Sequence, residues 1–222
     1  MVAEKLTLSK PCLCLVTDRR LCPDGSLAER VAQAVAGGVT MVQLREKDLP
    51  RGPLLALARE LRERIAGRAL LMINERADVA LAAGADGVHL GKPRLVGVRR
   101  ARDLAGPGML VGRSVHSVEA AIQAEEEGAD YLIVGTVFRS PSHPGQEPQG
   151  PALVRQVVQA VRVPVLGIGG VTADNAAEVL QAGAVGVAVV SAILAAQNPT
   201  EAARALASAM QNAATLRVWA PL

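Results

Sequence analysis

Three polar residues alternate where a short apolar segment near residue 41 ends: Gln43, Arg45 and Lys47. If that segment is a strand that continues into its loop, alternate residues point to the same side. An amide and two cations at one opening suit an anionic substrate, because charges on a buried strand need partners. The same row is also consistent with ion pairs inside the chain. The acidic candidates for such pairs are Glu46, Asp48 and Glu75.

The chain has three histidines, and each lies at or beyond the end of an apolar segment. His116 is the best candidate for an acid–base catalyst, because an imidazole with a pKa of ~6.5 can accept and return a proton. The alternative is a structural role in which His116 bonds a neighbouring carbonyl. We expect His89 to be structural or to orient a substrate, and His143 to be a contact from a mobile loop.

A phosphate site is predicted near the end of the chain, where two apolar segments finish. Gly169 and Gly170 lack the Cβ that would block close approach to their backbone N–H groups. Ser191 adds a hydroxyl at the start of a helix, where the first N–H groups favour anions. The alternative for the two glycines is that they only permit a tight turn.

The segment 139–150 is rich in proline and glycine and has no apolar periodicity. A long loop beside functional residues is commonly a lid. We therefore predict a lid whose contacts are Phe138, Ser140, Ser142 and His143. Among the aromatic residues, only Phe138 lies where it could stack on a substrate ring.

These residues must be positioned by the alternating elements of the chain. Eight short apolar segments are predicted strands: 12–17, 41–45, 69–74, 87–90, 109–114, 131–135, 165–169 and 187–191. Amphipathic or alanine-rich segments between them are predicted helices: 26–36, 53–66, 76–83, 96–104, 117–127, 151–161, 172–181 and 200–211. Eight such units predict an α/β protein with a closed (β/α)8 barrel, the TIM-barrel fold. An open doubly wound sheet is the alternative, but its glycine-rich loop after strand 1 is missing.

A repeated glycine marks every second strand: Gly38, Gly84, Gly128 and Gly183 each precede an apolar segment. A helix that ends at glycine and turns into a buried strand explains the repeat. We expect one barrel domain over residues 1–222, with a short N-terminal extension (1–11) and a C-terminal tail (213–222). The tail carries Trp219.

Composition excludes several classes of protein. Half of the 222 residues are hydrophobic, which excludes disorder as the main state. The formal net charge is only +3, and the chain has one Phe, one Tyr and one Trp, so we expect no nucleic-acid partner. No apolar segment is long enough for a signal peptide or a membrane span, which favours a cytoplasmic protein without a membrane partner. The three cysteines are expected to be reduced core residues rather than metal ligands.

Four motifs together resemble the thiamine-phosphate synthase superfamily, whose members are (β/α)8 barrels. The motifs are 43–47 (QLREK), 85–91 (ADGVHLG), 168–170 (IGG) and 190–193 (VSAI). The resemblance spans nearly the whole chain, in order. It implies either of two activities. The synthases join a hydroxymethylpyrimidine diphosphate to a thiazole phosphate and hold the pyrophosphate with Mg²⁺, whereas the TenI-type tautomerases isomerise a thiazole carboxylate phosphate.

The chain departs from the synthase pattern at three places. Asn74-Glu75 stands where Asn-Asp is expected, Arg94 stands at a metal-binding aspartate, and 140–143 (SPSH) replaces Thr-x-Thr-Lys. A guanidinium cannot bind a metal ion. The segment 112–125 resembles the tautomerase version instead, in which the histidine corresponding to His116 shuttles the proton. The row at 43–47 remains more like that of a synthase.

The resemblance therefore leads us to predict a thiazole tautomerase that uses His116 as its catalytic residue and needs neither metal nor cofactor. Its phosphorylated thiazole substrate would be bound by residues at the strand ends, and a homodimer is possible. The predicted substrate-binding residues are Gln43, Arg45, Lys47, Asn74, His89, Ser114, Gly169, Gly170 and Ser191. One alternative is a thiamine-phosphate synthase, with Glu75 binding Mg²⁺. The other is a non-catalytic barrel that binds a phosphate ligand.

Overall fold

Eight parallel strands close into a barrel in chain order, and β1 pairs with both β2 and β8. The computed structural model describes residues 8, 10–22, 26–91, 97–140, 145 and 147–218. The strands are β1 (Cys12–Val16), β2 (Met41–Leu44), β3 (Leu70–Asn74), β4 (Gly87–Leu90), β5 (Leu110–Val115), β6 (Tyr131–Val134), β7 (Val165–Ile168) and β8 (Gly186–Val189). The predicted (β/α)8 barrel is confirmed.

Helices follow the strands and cover the outside of the barrel. They are α1 (Leu27–Ala36), α2 (Arg51–Ile65), α3 (Ala77–Ala83), α4 (Val98–Ala105), α5 (Val118–Glu126), α6 (Gly150–Ala160), α7 (Ala176–Gln181), α8 (Ser191–Leu194) and α9 (Pro199–Val218). Serine side chains cap the amino ends of α1 and α5. The hydroxyl of Ser26 accepts from the N–H of Glu29, and that of Ser117 accepts from the N–H of Ala120.

Two predicted boundaries are wrong. The seventh helix begins at Ala176 rather than at residue 172, because the N–H of Thr172 is held by the side chain of Asn175 in a turn. The last helix continues to Val218, through most of the segment that the sequence predicts to be a tail from residue 213. Helical propensity and the packing of buried Met210 and Ala213 extend this helix beyond the residues with clear periodicity. Trp219 lies outside the described residues.

The core has two layers. Aliphatic side chains fill the larger layer between strands and helices, and a smaller cluster fills the barrel interior. Cys12 and Cys14 belong to the interior cluster, while Cys22 lies in the outer layer, and all three are buried and form no disulfide. Tyr131 is fully buried inside the barrel. A Cβ at Gly112 would lie 2.1 Å from its ring, so the neighbouring strand must present a glycine there.

A repeated aspartate closes the amino end of the barrel. Asp86 precedes β4 and accepts from the N–H of Leu71 (2.7 Å) and from Arg62 (2.6 Å). Asp130 precedes β6 and accepts from the N–H of Val111 and from Arg102 in the same way. Two of the four repeats that the sequence shows before even-numbered strands, those before β4 and β6, therefore carry an ion pair between a helix and the sheet.

Candidate active site

A buried amide pair lies at the carboxyl end of β2 and β3. The side chain of Gln43 donates to Oδ1 of Asn74 over 3.0 Å, and the two residues are 3% and 8% exposed. Both face the barrel opening, because in each strand the inward positions alternate with those that pack under the helices. The structure thus brings together two residues that the sequence placed in the site.

A network between β1 and β2 holds the acidic residues of this edge. Glu46 is buried, and its carboxylate accepts from the hydroxyl of Thr17 (2.7 Å), and from the backbone N–H (3.1 Å) and guanidinium (3.0 Å) of Arg19. Arg19 also forms two bonds to Asp48, which lower the pKa of that carboxyl to about 2. Sequence reasoning missed Thr17 and Arg19, although their place after the first strand is the signal that could have found them.

This network bears on the ion-pair alternative for Arg45. Glu46 and Asp48 are bonded to Arg19, so they are not the ion-pair partners of Arg45. Among the described residues, no carboxylate lies within ion-pair distance of the half-buried Arg45 guanidinium. The backbone N–H of Arg45 donates to Thr17 Oγ1 (2.9 Å), which fixes the chain as it leaves β2. Lys47 is exposed.

Both ring nitrogens of His89 form hydrogen bonds to side chains of other strands, β5 and β6. Nδ1 lies 3.1 Å from the hydroxyl of Tyr131, and Nε2 lies 2.8 Å from the hydroxyl of Ser114. Burial lowers the pKa of His89 to about 3, and the charges of Arg113 and Arg45 contribute to the same shift. This imidazole is therefore uncharged at neutral pH, and each of its ring nitrogens takes part in a hydrogen bond.

His116 directly follows β5 and has a different environment. Its side chain is exposed, and Nδ1 lies 2.6 Å from the backbone oxygen of Gly135. A carbonyl can only accept, so Nδ1 carries a proton and donates it. The structure therefore shows the structural hydrogen bond that was the alternative to a catalytic role for this residue.

Glu75 occupies an unusual backbone conformation at the end of β3. Its φ is +61°, and its N–H donates to the oxygen of His89 over 2.9 Å. A Cβ at Gly91 would lie 3.0 Å from Oε1 of Glu75, so this carboxylate reaches over the end of β4. Among the described residues, no three metal-binding side chains lie together. A Mg²⁺ ion bound at Glu75 would therefore draw its other ligands from water and substrate phosphate, which is common for this ion.

The two glycines after β7 are required by the loop that follows β6. Gly169 and Gly170 have φ values of +104° and +63°. A Cβ at Gly169 would lie 2.6 Å from a methyl of Thr136, and one at Gly170 would lie 2.2 Å from the oxygen of Arg139. Both the turn and the close packing thus need glycine, as the alternative interpretation held. Ser191 is the first residue of α8, and phosphate binding here stays a prediction.

The described part of the predicted lid is attached to the end of β7. The N–H of Phe138 donates to the oxygen of Gly169 (2.9 Å), and its half-buried ring packs against the outer core. Ser140 is half-buried as well. Ser142 and His143 lie outside the described residues. The base of this loop is therefore fixed, and its role as a lid stays a prediction.

Comparisons with known proteins relate this chain to a family over most of its length. Residues 13–193 match the family described as thiamine monophosphate synthase. The chain belongs to this family. A thiamine-phosphate synthase of Chlorobium luteolum is 44% identical over 205 residues, which cover 91% of this chain and 94% of that protein. One of Roseiflexus castenholzii is 45% identical over 195 residues, which cover 86% and 85%.

A solved structure of a relative gives the same family. Thiamine phosphate pyrophosphorylase from Pyrococcus furiosus superposes with a TM-score of 0.83 and is 38% identical, and the match covers 91% of this chain and 96% of that one. No helix in the described residues combines the length and the apolar character needed to span a membrane.

The family members contradict the predicted tautomerase. Relatives that match over nearly their full length are named thiamine-phosphate synthases, and the TenI-type branch is not singled out. The prediction of a thiazole tautomerase was wrong because it gave the segment 112–125 and the three departures from the synthase pattern more weight than the rest of the chain. Its central residue, His116, also bonds a backbone carbonyl. Of the three departures from the synthase pattern, the one at Glu75 keeps a carboxylate, to which substrate phosphates can add further metal ligands. Arg94 and residues 141–143 lie outside the described residues.

Proposed function

We propose that this protein is a thiamine-phosphate synthase. It would join a hydroxymethylpyrimidine diphosphate to a thiazole phosphate, forming thiamine phosphate and releasing pyrophosphate. Relatives at 44% and 45% identity over most of the chain support the proposal. The observation that carries it is the end of β2, where Arg19 binds both neighbouring carboxylates and leaves Arg45 with no ion pair among the described residues.

The reaction makes one carbon–nitrogen bond and breaks one carbon–oxygen bond. The thiazole nitrogen attacks the methylene carbon of the pyrimidine, and the pyrophosphate leaves with the electron pair of the broken bond. No proton has to be removed from the substrates for this exchange. The protein must therefore stabilise the charge that develops on the leaving group, and electrostatic stabilisation of this kind is usually the largest contribution to catalysis.

Arg45 and Lys47 are the cations that would bind the pyrophosphate. Arg45 is half-buried and Lys47 is exposed, so one cation lies inside the opening and the other lies nearer solvent. A guanidinium can bind phosphate oxygens through two parallel N–H donors, whereas a lysine acts as a point charge. The bond from the Arg45 N–H to Thr17 restricts the backbone that carries both cations.

Glu75 is the described carboxylate that would hold Mg²⁺, with the amide of Asn74 beside it. When bound, the ion would neutralise part of the charge of the pyrophosphate. One carboxylate together with substrate phosphates is a sufficient protein contribution for this ion. The buried Gln43–Asn74 hydrogen bond fixes the amide at this edge.

The thiazole phosphate would bind on the opposite side of the opening, at Gly169, Gly170 and Ser191. Backbone N–H groups at a glycine turn and at a helix start suit a phosphate group, and in barrels of this fold such a site commonly follows the seventh and eighth strands. The backbone N–H of Phe138 donates to the oxygen of Gly169 and so holds this turn in place. The two anionic groups would thus be held on opposite sides, with the reacting atoms between them.

The test is to assay the purified protein with the pyrimidine diphosphate and thiazole phosphate, with and without Mg²⁺. We expect thiamine phosphate and pyrophosphate to form in equal amounts, and to form only when the metal is present. The matched control is the isomerisation of thiazole carboxylate phosphate, which we expect not to be accelerated. Binding of either substrate without turnover would contradict the proposal and would favour a phosphate-binding barrel without catalytic activity.

A further inference from the structure

Three polar side chains form a continuous chain of hydrogen bonds from the barrel interior to its opening. Tyr131 bonds Nδ1 of His89, and Nε2 of His89 bonds Ser114. Tyr131 is fully buried and His89 is 1% exposed, whereas Ser114 is half-buried. The inner member of the chain is thus shielded from water, and the outer member lies at the edge of the site.

A glycine in β5 leaves room for this chain of hydrogen bonds. Gly112 lies opposite His89 in the register of β4 and β5, and opposite Tyr131 in the register of β5 and β6. A Cβ at Gly112 would lie 2.4 Å from the Tyr131 hydroxyl oxygen. Glycine therefore lets the phenol lie across the barrel beneath the imidazole, with 5.6 Å between the two ring centres.

The hydrogen bonds of Tyr131 and Ser114 determine which ring nitrogen of His89 carries the proton. The imidazole is neutral, so one ring nitrogen donates and the other accepts. If Nδ1 donated to Tyr131, the phenol would need another acceptor for its own proton, and the described residues offer none. An unsatisfied buried donor is costly. With the proton on Nε2, the phenol donates to Nδ1, and Nε2 donates to the oxygen of Ser114.

We propose that Tyr131 is a positioning residue that holds His89 in its Nε2–H form and thereby makes Ser114 a hydrogen-bond donor towards the substrate. Because the oxygen of Ser114 accepts from Nε2, its own proton is directed into the opening. A substrate acceptor at this point, such as a ring nitrogen or a phosphate oxygen, would receive this proton. A substrate N–H or O–H group there would leave the Ser114 proton without an acceptor.

The consequence for catalysis rests on the proposed synthase function, but the proton arrangement does not. The arrangement is a property of the folded protein and is measurable without substrate. The two parts are therefore tested separately.

The first test is ¹⁵N NMR of the full-length protein with labelled histidine. Spectra of His116→Gln and His143→Gln, each lacking one histidine, assign the remaining signals to His89. We expect Nε2 to resonate as a protonated nitrogen and Nδ1 as an unprotonated one. In Tyr131→Phe, which keeps the ring and removes the hydroxyl, we expect the two resonances to move towards each other as the two neutral forms exchange. A proton on Nδ1 in the wild type, or an unchanged spectrum in Tyr131→Phe, would overturn the proposal.

The second test is a double-mutant cycle on the synthase reaction. Tyr131→Phe is expected to lower kcat about 3- to 10-fold, the value of one oriented hydrogen bond, with little change in the KM for thiazole phosphate. In a Ser114→Ala background the same change should alter kcat less than about 2-fold, because the residue through which Tyr131 acts is absent. Independent, multiplicative losses would show that Tyr131 acts only through packing. If the wild type forms no thiamine phosphate, the proposed function fails, and the NMR spectra still decide the proton arrangement.

Discussion

The two ends of the barrel are built in different ways. At the amino end, Asp86 and Asp130 make the same pair of bonds, each to a strand N–H and to an arginine of the helix layer. At the carboxyl end, no such repetition is present among the described residues. There the end of β2 carries cations, the end of β4 carries a buried neutral histidine, and the turn after β7 carries glycines.

The two ends of the barrel differ because they have different tasks. The amino end only has to join each helix to the sheet, so the same solution can serve at more than one strand, as it does before β4 and β6. The carboxyl end would have to recognise an asymmetric pair of substrates, which needs a different group at each strand. If this is right, substitutions at the amino end should change stability alone, and those at the carboxyl end should change catalysis.

The largest expected effect is that of Gly170→Ala. The new Cβ would lie 2.2 Å from a backbone oxygen of the loop after β6, at a φ of +63°. We expect the free energy of unfolding to fall by about 3 kcal/mol, from the backbone strain and the displaced loop. The KM for thiazole phosphate should also rise. Urea denaturation and steady-state kinetics measure the two effects.

Gly84→Ala is the matched control at the amino end. Gly84 has a φ of +62°, and no atom lies within 4 Å of the Cβ that alanine would add, so the strain is present without the collision. We expect the free energy of unfolding to fall by about 1 kcal/mol and the kinetics to stay unchanged. An equal fall in the two variants would show that contact with the loop after β6 adds nothing to the cost of Gly170→Ala.

Arg45→Ala should have the next largest effect. Loss of a guanidinium that binds the pyrophosphate is expected to lower kcat/KM for the pyrimidine diphosphate about 100-fold, which corresponds to about 2.7 kcal/mol. The free energy of unfolding should change by no more than about 0.5 kcal/mol, because Arg45 has no ion pair among the described residues.

The opposite pattern is expected for Arg62→Ala, an equal change of charge at the amino end. Arg62 bonds Asp86 at 2.6 Å, so its loss should cost about 1 kcal/mol of stability and leave kcat/KM unchanged. A variant of Arg45 with wild-type kinetics would remove the main support for the proposed pyrophosphate site.

Glu46→Gln tests whether the carboxyl end also needs its own stabilising network. The buried carboxylate holds Thr17 and Arg19, so replacing it with a neutral amide should cost about 2 kcal/mol. Because Thr17 in turn holds the backbone of Arg45, the KM for the pyrimidine diphosphate should rise a few-fold. Asp48→Asn, at the exposed partner of Arg19, is the control and should have a much smaller effect on both quantities. A normal KM in a destabilised Glu46→Gln protein would separate this network from the site.

The effect that is smallest at neutral pH is a dependence of stability on pH that comes from His89, and it grows as the solution becomes acidic. The folded protein holds the pKa of His89 at about 3, whereas the unfolded chain has the ordinary value of about 6.5. Below pH 6.5 the unfolded chain therefore takes up a proton that the folded protein excludes, so stability falls as the pH falls. The expected slope is about 1.4 kcal/mol per pH unit between about pH 6 and pH 4, measured by urea denaturation. The slope should be lower in His89→Asn, and an equal slope there would contradict the assignment.

Most of the fold could be predicted from the sequence, since every predicted strand lies within one or two residues of its observed bounds. Alternating apolar segments and helical periodicity are local signals, and eight of them in order leave few possible arrangements. The end of α9 and the start of α7 were missed because they depend on a packed neighbour and on a side-chain turn at Asn175. Neither is visible in periodicity.

The sequence indicates part of the candidate site. Gln43, Asn74, His89 and Ser114 were chosen because they stand at strand ends, and the structure places them in two hydrogen-bonded pairs. Arg19, Thr17 and Tyr131 were not chosen, because each acts through a bond to a residue distant in sequence. His116 was chosen by type and position, yet its bond to Gly135 depends on how two neighbouring strands end.

The sequence by itself determined the number and order of the βα units, the end of the barrel that carries polar chemistry, and the family. These follow from local periodicity, from strand polarity and from residues that match in order. Only the tertiary structure decided which charges are paired and which protons are held. Ion pairing and burial depend on distances between segments far apart in the chain, as the bonds of Arg19 to Glu46 and of Tyr131 to His89 show.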